Sequence, residues 1–283
     1  MTMQTLEEDQ SMPHIIVPVK QVPESGRATM DEETGTIKRK GVQSIVNPLD
    51  LYAVETALRL GEAHGGRVTA LSMGPASAQK ALREVISMGC EEAVLLSGRG
   101  LAGSDTYATA YALSRAIKRL DPWDLIVCGE RATDGDTGQV GPALASLLGV
   151  PPLTYVSRVE DLFDGRLRVC RLVEDGYEVL SCPLPCVVTV VKEIADPRLP
   201  TLAGKRRARA AEIPTWGLEE IGAEPGKTGL DGSPTRVIEI DRPTVARQGR
   251  KILATRDHQI QSAVDELVEF LGEHHPERNR RHG

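Results

Sequence analysis

The 283-residue chain is 40% hydrophobic and 26% charged, proportions that suit one large or two modest globular domains and exclude a fibrous or disordered protein. With 2 Phe, 2 Trp and 5 Tyr its core has to be aliphatic, and base stacking on nucleic acid has few rings to use. The 34 basic and 40 acidic residues leave a net charge of −6, which opposes broad attraction to a phosphate backbone.

Residues 1–12 are polar and acidic, lack the apolar stretch of a signal peptide, and read as a disordered leader, so a cytoplasmic address is expected. From His14 short apolar runs alternate with helical stretches, the pattern of a doubly wound, mostly parallel sheet in an α/β protein. Residues 14–19 (HIIVPV) form the first expected strand, followed by a polar segment with a turn at Glu33-Thr34-Gly35. Asn47-Pro48 opens a helix, because Asn caps well and Pro suits the first turn, and Leu51, Val54 and Leu58 then recur at helical spacing. Further strands are expected at 67–72, 92–97, 124–129 and 153–159, alternating with helices at 75–88, 105–120 and 138–148. Residues 137–157 carry no charge, but Pro142, Gly149, Pro151 and Pro152 break the stretch, so no membrane-inserted helix is expected.

Past 159 the register changes. Runs 166–173, 176–181 and 186–191 read as strands joined by tight turns, which gives the sheet antiparallel edges. From 196 to 236 Pro, Gly, Arg and Lys replace the periodic pattern and suggest an extended C-terminal arm that holds a partner. A short amphipathic helix at 260–271 precedes a polar tail. The expected organisation is a nucleotide-binding domain at 13–195, a partner-binding arm at 196–259, and the C-terminal helix and tail at 260–283.

Several of the five cysteines (Cys90, Cys128, Cys170, Cys182 and Cys186) lie inside apolar runs, as buried thiols of a reducing compartment do. The close pair Cys182 and Cys186 lacks a second ligand pair for zinc, and no metal site is expected. Gly98-Arg99-Gly100-Leu101-Ala102-Gly103 is a literal G-x-G-x-x-G. It follows the third strand rather than the first, and Ser104-Asp105 cap a helix that begins after it, so a loop before a capped helix is favoured over a dinucleotide fingerprint.

The stronger candidate is the segment 130–142. Ligands of open α/β sheets lie beyond the carboxyl ends of the strands where strand order reverses, which directs attention to 18–23 and 130–141. Small polar and glycine residues there lead into a helix whose amides and dipole attract phosphate. Asp134 and Asp136 repel phosphate, so they have to cap amides or bind ribose hydroxyls. An ordinary helix cap with no ligand is the other reading, and the pattern leaves both open. No G-x-S-x-G elbow, H-E-x-x-H or Walker lysine loop is present and no catalytic residue is assigned, which points to binding or electron carriage.

Val19-Lys20-Gln21-Val22-Pro23, Asn47-Pro48, Met73-Gly74-Pro75, Asp134-Gly135-Asp136-Thr137-Gly138-Gln139-Val140-Gly141-Pro142 and Gly232-Ser233-Pro234-Thr235 occur in this order. Over residues 12–252 the chain thus resembles the beta subunit of electron transfer flavoprotein, in the form of the bifurcating and nitrogen-fixation-associated members. The resemblance implies an adenine-nucleotide α-hydrolase-like sheet and a heterodimer with an alpha subunit carrying FAD, which moves electrons between dehydrogenases, or NADH, and an acceptor. It also implies an adenine nucleotide surrounded by Pro18, Asn47, Pro48, Leu49, Asp50, Met73, Asp134, Gly135, Asp136, Thr137, Gly138, Gln139, Val140, Gly141, Pro142, Ala143, Leu144 and Ala145. A second FAD is the expected occupant, because Gly135 and Gly141 remove side chains where a pyrophosphate approaches the backbone, and AMP is the alternative. Gly138 departs from the alanine of many bifurcating members.

The arm resembles a recognition loop that docks acyl-CoA dehydrogenases, with Leu202 as anchor and Lys205, Arg206, Arg207 and Arg209 as a basic collar; a quinone oxidoreductase is the other implied partner. A solvated basic stretch is the plain alternative. Rival functions are a stand-alone adenine-nucleotide regulatory module and a pyridine-nucleotide dehydrogenase using 98–103.

Overall fold

In the first strand, β1 (His14–Pro18), Ile15 and Val17 face one layer and Ile16 the other, so one short strand feeds two hydrophobic cores. The computed structural model describes residues 12–24, 44–238 and 251–273. The leader to residue 11, the turn at Glu33-Thr34-Gly35, arm positions 239–250 and the tail from 274 lie outside the described residues.

After β1 a small antiparallel ladder, β2 (Gln21–Pro23) and β3 (Ser44–Val46), delivers the chain to α1 (Pro48–His64), which ends at Gly65 in the left-handed conformation. The α/β alternation then continues through β4 (Arg67–Met73), α2 (Gln79–Met88), β5 (Glu92–Leu96), α3 (Thr106–Arg119), β6 (Leu125–Gly129) and α4 (Val140–Leu148). β7 (Pro152–Phe163), β8 (Arg166–Val173), β9 (Gly176–Pro183) and β10 (Cys186–Val190) follow, and α5 (Leu202–Ala210) and β11 (Thr215–Trp216) lie in the arm. The nine-stranded sheet has the order β11-β5-β4-β1-β6-β10-β7-β8-β9, parallel except for β8, which runs antiparallel to both of its neighbours, β7 and β9. α1 and α2 cover one face through Val54, Leu58, Leu82 and Val85, while α3 and α4 cover the other through Leu113, Ile117 and Leu144.

The antiparallel edge expected at 166–191 forms from β7, β8 and β9, but the run at 186–191 does not belong to it. β10 lies between β6 and β7, parallel to both. The physical reason is visible in its composition: Cys186 to Val190 are all buried, an unbroken run of the kind central parallel strands carry, whereas an edge strand alternates.

The described part of the arm follows the body of the sheet. Arg198 pairs with the buried Glu55 of α1, α5 packs on α2, and β11 extends the sheet by pairing with β5. The chain divides into one compact unit of residues 1–238 and a second of 239–283. The described element of the second unit is α6 (Asp257–Glu273), whose Ile260, Val264, Leu267 and Leu271 share one helical face. Among the described residues no helix is long and apolar enough to cross a membrane.

Candidate functional site

Strand order reverses between β1 and β6, which are neighbours in the sheet while their connections run outward in opposite directions. A cleft of about 240 Å³ opens at the carboxyl ends of these strands. Pro18, Asp50, Met73, Gly135, Asp136, Thr137, Gly138, Gln139, Val140 and Gly141 line it, all of them positions named from the sequence.

Two buried polar side chains, Asn47 and Asp50, brace the loop beside the cleft. Gly129 ends β6, and a Cβ there would lie 2.5 Å from Asp50 Oδ1 and 2.8 Å from the Leu49 backbone, so its bare backbone lets the first turn of α1 pass. Asn47 precedes α1 but makes no side-chain cap bond. Instead its amide donates to Asp50 Oδ1 (2.9 Å) and to the Arg131 carbonyl (2.9 Å), and its oxygen accepts from the Thr133 N–H (3.2 Å). The residue expected as a cap is a staple between α1 and the loop after β6. The other carboxylate oxygen of Asp50 accepts the Lys20 N–H at 2.7 Å. Burial pushes Asp50 up to about 7, against the pull of these two donors, and beside it burial also raises the Cys128 thiol above its ordinary value.

Asp134 and Asp136 do not cap α4. Lys20 Nζ meets Asp134 Oδ1 at 2.7 Å, and Arg131 Nε meets Asp136 Oδ1 at 3.1 Å. Each acid therefore holds a cation at the rim. The N-terminus of α4 has no side-chain cap, and Val140 and Gly141 lie in the cleft wall. Asp136 and Gly138 take positive φ (54° and 64°), which aims the loop backbone. Asn47, Pro48, Leu49, Asp134, Pro142, Ala143, Leu144 and Ala145 are not in the cleft lining; Leu144 and Ala145 are buried on the inner face of α4 in the aliphatic core.

The sequence reading left out a third wall. Asp105, Thr106, Thr109 and Leu113 line the cleft from α3, and Thr106 Oγ1 donates to Gln139 Oε1 at 2.8 Å. Thr106, Thr109 and Leu113 are spaced i, i+3 and i+7, one helical face, and that spacing was the available signal. Asp105 caps α3 as expected, accepting from the Ala108 N–H at 3.0 Å. Its second oxygen takes both the amide (3.0 Å) and the hydroxyl (2.8 Å) of Thr235, and these bonds outweigh partial burial to hold its carboxyl below the ordinary range.

The G-x-G-x-x-G run serves packing. A Cβ on Gly100 would lie 2.4 Å from Leu218 Cδ1, and one on Gly229 would lie 2.5 Å from the Gly100 carbonyl. The motif is a seat for the chain's own 217–235 segment. In the arm, Leu202 is 71% exposed and Lys205 and Arg206 also face solvent, whereas the Arg207 guanidinium binds carbonyls at the end of α2. Among the described residues no group of three or more His, Cys, Asp and Glu side chains is placed to hold a metal.

Sheet, switch point and cleft define a doubly wound α/β protein with its site at the carboxyl edge. The electron transfer flavoprotein domain matches residues 34–221. The electron transfer flavoprotein subunit beta of Thermoanaerobacterium thermosaccharolyticum is 43% identical over 93% of this chain and 99% of that protein. Protein FixA of Azorhizobium caulinodans is 42% identical over 82% of this chain and 85% of its own. The caffeyl-CoA reductase-Etf complex subunit CarD of Acetobacterium woodii is 40% identical over 92% and 98%. The chain belongs to the electron transfer flavoprotein family, on its beta-subunit side.

Proposed function

We propose that this beta subunit holds an adenine nucleotide in the switch-point cleft, FAD rather than AMP, and works as a heterodimer with an alpha subunit that carries another FAD. The observation that carries the reading is the uncapped N-terminus of α4 beside the cations Lys20 and Arg131, next to apolar walls of Val19, Leu71, Met73 and Leu113. Phosphate suits the first and a planar ring the second. Open space at the Gly135 Cβ position leaves room for a second phosphate, which favours the dinucleotide.

FAD, when bound, supplies reversible hydride and single-electron transfer. The protein's own part is binding and orientation. The α4 amides and rim cations take the phosphates, Asp134 and Asp136 orient those cations, and Asn47 with Asp50 keeps the loop registered against α1. The aliphatic walls keep water from the ring. NADH is the proposed donor. The name of the Acetobacterium woodii relative, a caffeyl-CoA reductase complex subunit, supports an acyl-CoA-type dehydrogenase as partner, and a quinone oxidoreductase is the other acceptor class. α5 presents Leu202, Lys205 and Arg206 to that partner. Five buried thiols, none paired, suit a cytoplasmic location.

The test is to purify the complex co-expressed with its alpha subunit, denature it, and quantify released FAD and AMP. Two FAD per heterodimer with direct NADH oxidation is the expected result. One FAD and one AMP without NADH oxidation defines a single-flavin shuttle, and a stable monomer binding ATP alone defines a regulatory module.

A further inference from the structure

α2 and α5 cap each other's carboxyl ends. Arg207 of α5 donates through Nη2 to the carbonyls of Ile86 (2.8 Å) and Cys90 (3.3 Å), at the end of α2. Arg83 of α2 donates through Nη1 to the carbonyl of Ala208 and to that of Ala211 (3.1 Å), at the end of α5. Each guanidinium thus satisfies carbonyls that have no partner within their own helix and meets the negative end of the facing dipole. Between the clamps the backbones touch: a Cβ on Gly204 would lie 2.0 Å from the Ser87 carbonyl oxygen. Thr201 Oγ1 accepts the Gly204 N–H at 2.9 Å and starts the helix, and Ala208 is buried against α2.

Gly204, Arg207, Ala208 and Ala211 follow the i, i+3, i+4, i+7 spacing of one helical face, which is the face turned to α2. Leu202, Lys205, Arg206 and Arg209 are exposed, and so is Arg207 apart from the guanidinium bound to the α2 carbonyls. We propose that Arg83, Gly204 and Arg207 are positioning residues that hold α5 as a preformed docking element, so that Leu202 and its basic neighbours meet an apolar pocket ringed by carboxylates without an ordering cost at each encounter. This rests on the reading of α5 as the partner-docking element, and it gives the guanidinium of the exposed Arg207 a supporting role instead of a contact role.

The experiment uses the intact heterodimer and a purified short-chain acyl-CoA dehydrogenase as the varied substrate for electron transfer. Arg207→Gln and Gly204→Ala are each expected to raise KM for the dehydrogenase about tenfold, the equivalent of one 1.4 kcal/mol step, with kcat and cofactor content unchanged. Arg207→Lys, which keeps a cation at the α2 carbonyls, is expected to recover most of the loss. Arg83→Gln, on the opposite helix, is the second variant should Gly204→Ala fold poorly, and it has to reproduce the effect. Added to Leu202→Ala, Arg207→Gln is expected to do nothing further, since both act through one contact. If Leu202→Ala raises KM while the clamp variants leave it unmoved, or if the two effects multiply, the positioning role is overturned and docking stands. If Leu202→Ala itself leaves KM unmoved, the docking reading and this inference fall together.

Discussion

A Cβ on Gly141 would lie 2.4 Å from Cγ2 of Thr189, so the first turn of α4 passes β10 only because residue 141 has no side chain. Packing is thus a reason for this glycine besides the approach of a pyrophosphate to the backbone that the sequence suggests. The latter alone suits Gly135, where a Cβ meets nothing within 4 Å. Two glycines six residues apart in one motif thus meet different surroundings, one a tight contact and one the open side of the cleft.

Gly141→Ala is therefore expected to cost about 1–3 kcal/mol, the usual range for overpacking a tight contact, while Gly135→Ala stays within about 0.5 kcal/mol. Thr189→Ser removes Cγ2 but keeps the oxygen that accepts the Tyr155 N–H at 3.1 Å, so the double variant Gly141→Ala with Thr189→Ser recovers much of the loss. Chemical denaturation of the four proteins measures each difference. Equal destabilisation at 135 and 141 would remove the packing account.

Asp50 makes stability depend on pH in an unusual direction. Burial raises its carboxyl from 3.8 to about 7, so between these values the folded chain holds a proton that the unfolded chain releases. Stability from this group is complete below 3.8 and is lost as pH rises through 7. His14, lowered chiefly by burial, works the other way, since its folded form resists the proton that the unfolded chain accepts. The difference between wild type and Asp50→Asn isolates the aspartate: wild type should lose more than about 1 kcal/mol relative to the variant between pH 5 and pH 8, one shifted unit being worth about 1.4 kcal/mol. A parallel pH course in both proteins would show that a group other than Asp50 governs it.

Much of the sheet was legible because each helix between β1 and α4 is announced by a cap or a proline and each strand by a buried apolar run. β10 was misplaced because tight turns before it suggested another hairpin, while its unbroken burial signalled a central strand. The loop after β6 was legible as a wall of the switch-point cleft. The roles of Asp134 and Asp136 were not, since their cations come from Lys20, 114 positions before Asp134, and from Arg131 beside them. Arg207 was grouped with its basic neighbours because a Gly, Ala and Arg helix has no apolar periodicity to tell inward from outward. The contacts of Gly204, Arg207 and Ala208 with α2 reveal which face is which.

The start of the arm is anchored by a buried ion pair that should be costly to break. Arg198 donates to Glu55 through its backbone N–H (3.0 Å) and Nε (2.8 Å) and also meets Glu62, while Arg59 holds the other Glu55 oxygen at 2.6 Å. The Glu55 side chain is 3% exposed. Despite burial, these cations hold its carboxyl below the ordinary range, so the stability it contributes is present above 4.5 and lost as pH falls through its lowered value. Arg198→Met is expected to cost about 2–4 kcal/mol, somewhat less than breaking an isolated buried pair because Arg59 remains. Adding Glu55→Gln should return part of it. A double-mutant cycle with no coupling would reduce the pair to a surface contact.

The loop itself provides the most direct handle on what the cleft holds. Gly135 has no neighbour at its Cβ position and no positive φ, so Gly135→Asn is expected to fold normally and to act on the ligand alone. An amide side chain there narrows the space for a second phosphate, and FAD binding should fall more than AMP binding. Asp136 differs, because it combines a φ of 54° with the pairing to Arg131. Asp136→Ala is expected to weaken nucleotide binding by about 1–2 kcal/mol, the scale of one charge-assisted hydrogen bond. Asp136→Gly keeps the backbone conformation while removing the carboxylate, so recovery in that variant would assign the loss to the turn, and no recovery to the orientation of Arg131. Apoprotein of the heterodimer titrated separately with FAD and AMP gives both affinities of each variant and of the wild type. An equal response of both nucleotides to Gly135→Asn would mean that the open side of the loop does not select between them, and the preference for FAD would have to rest on the flavin count alone.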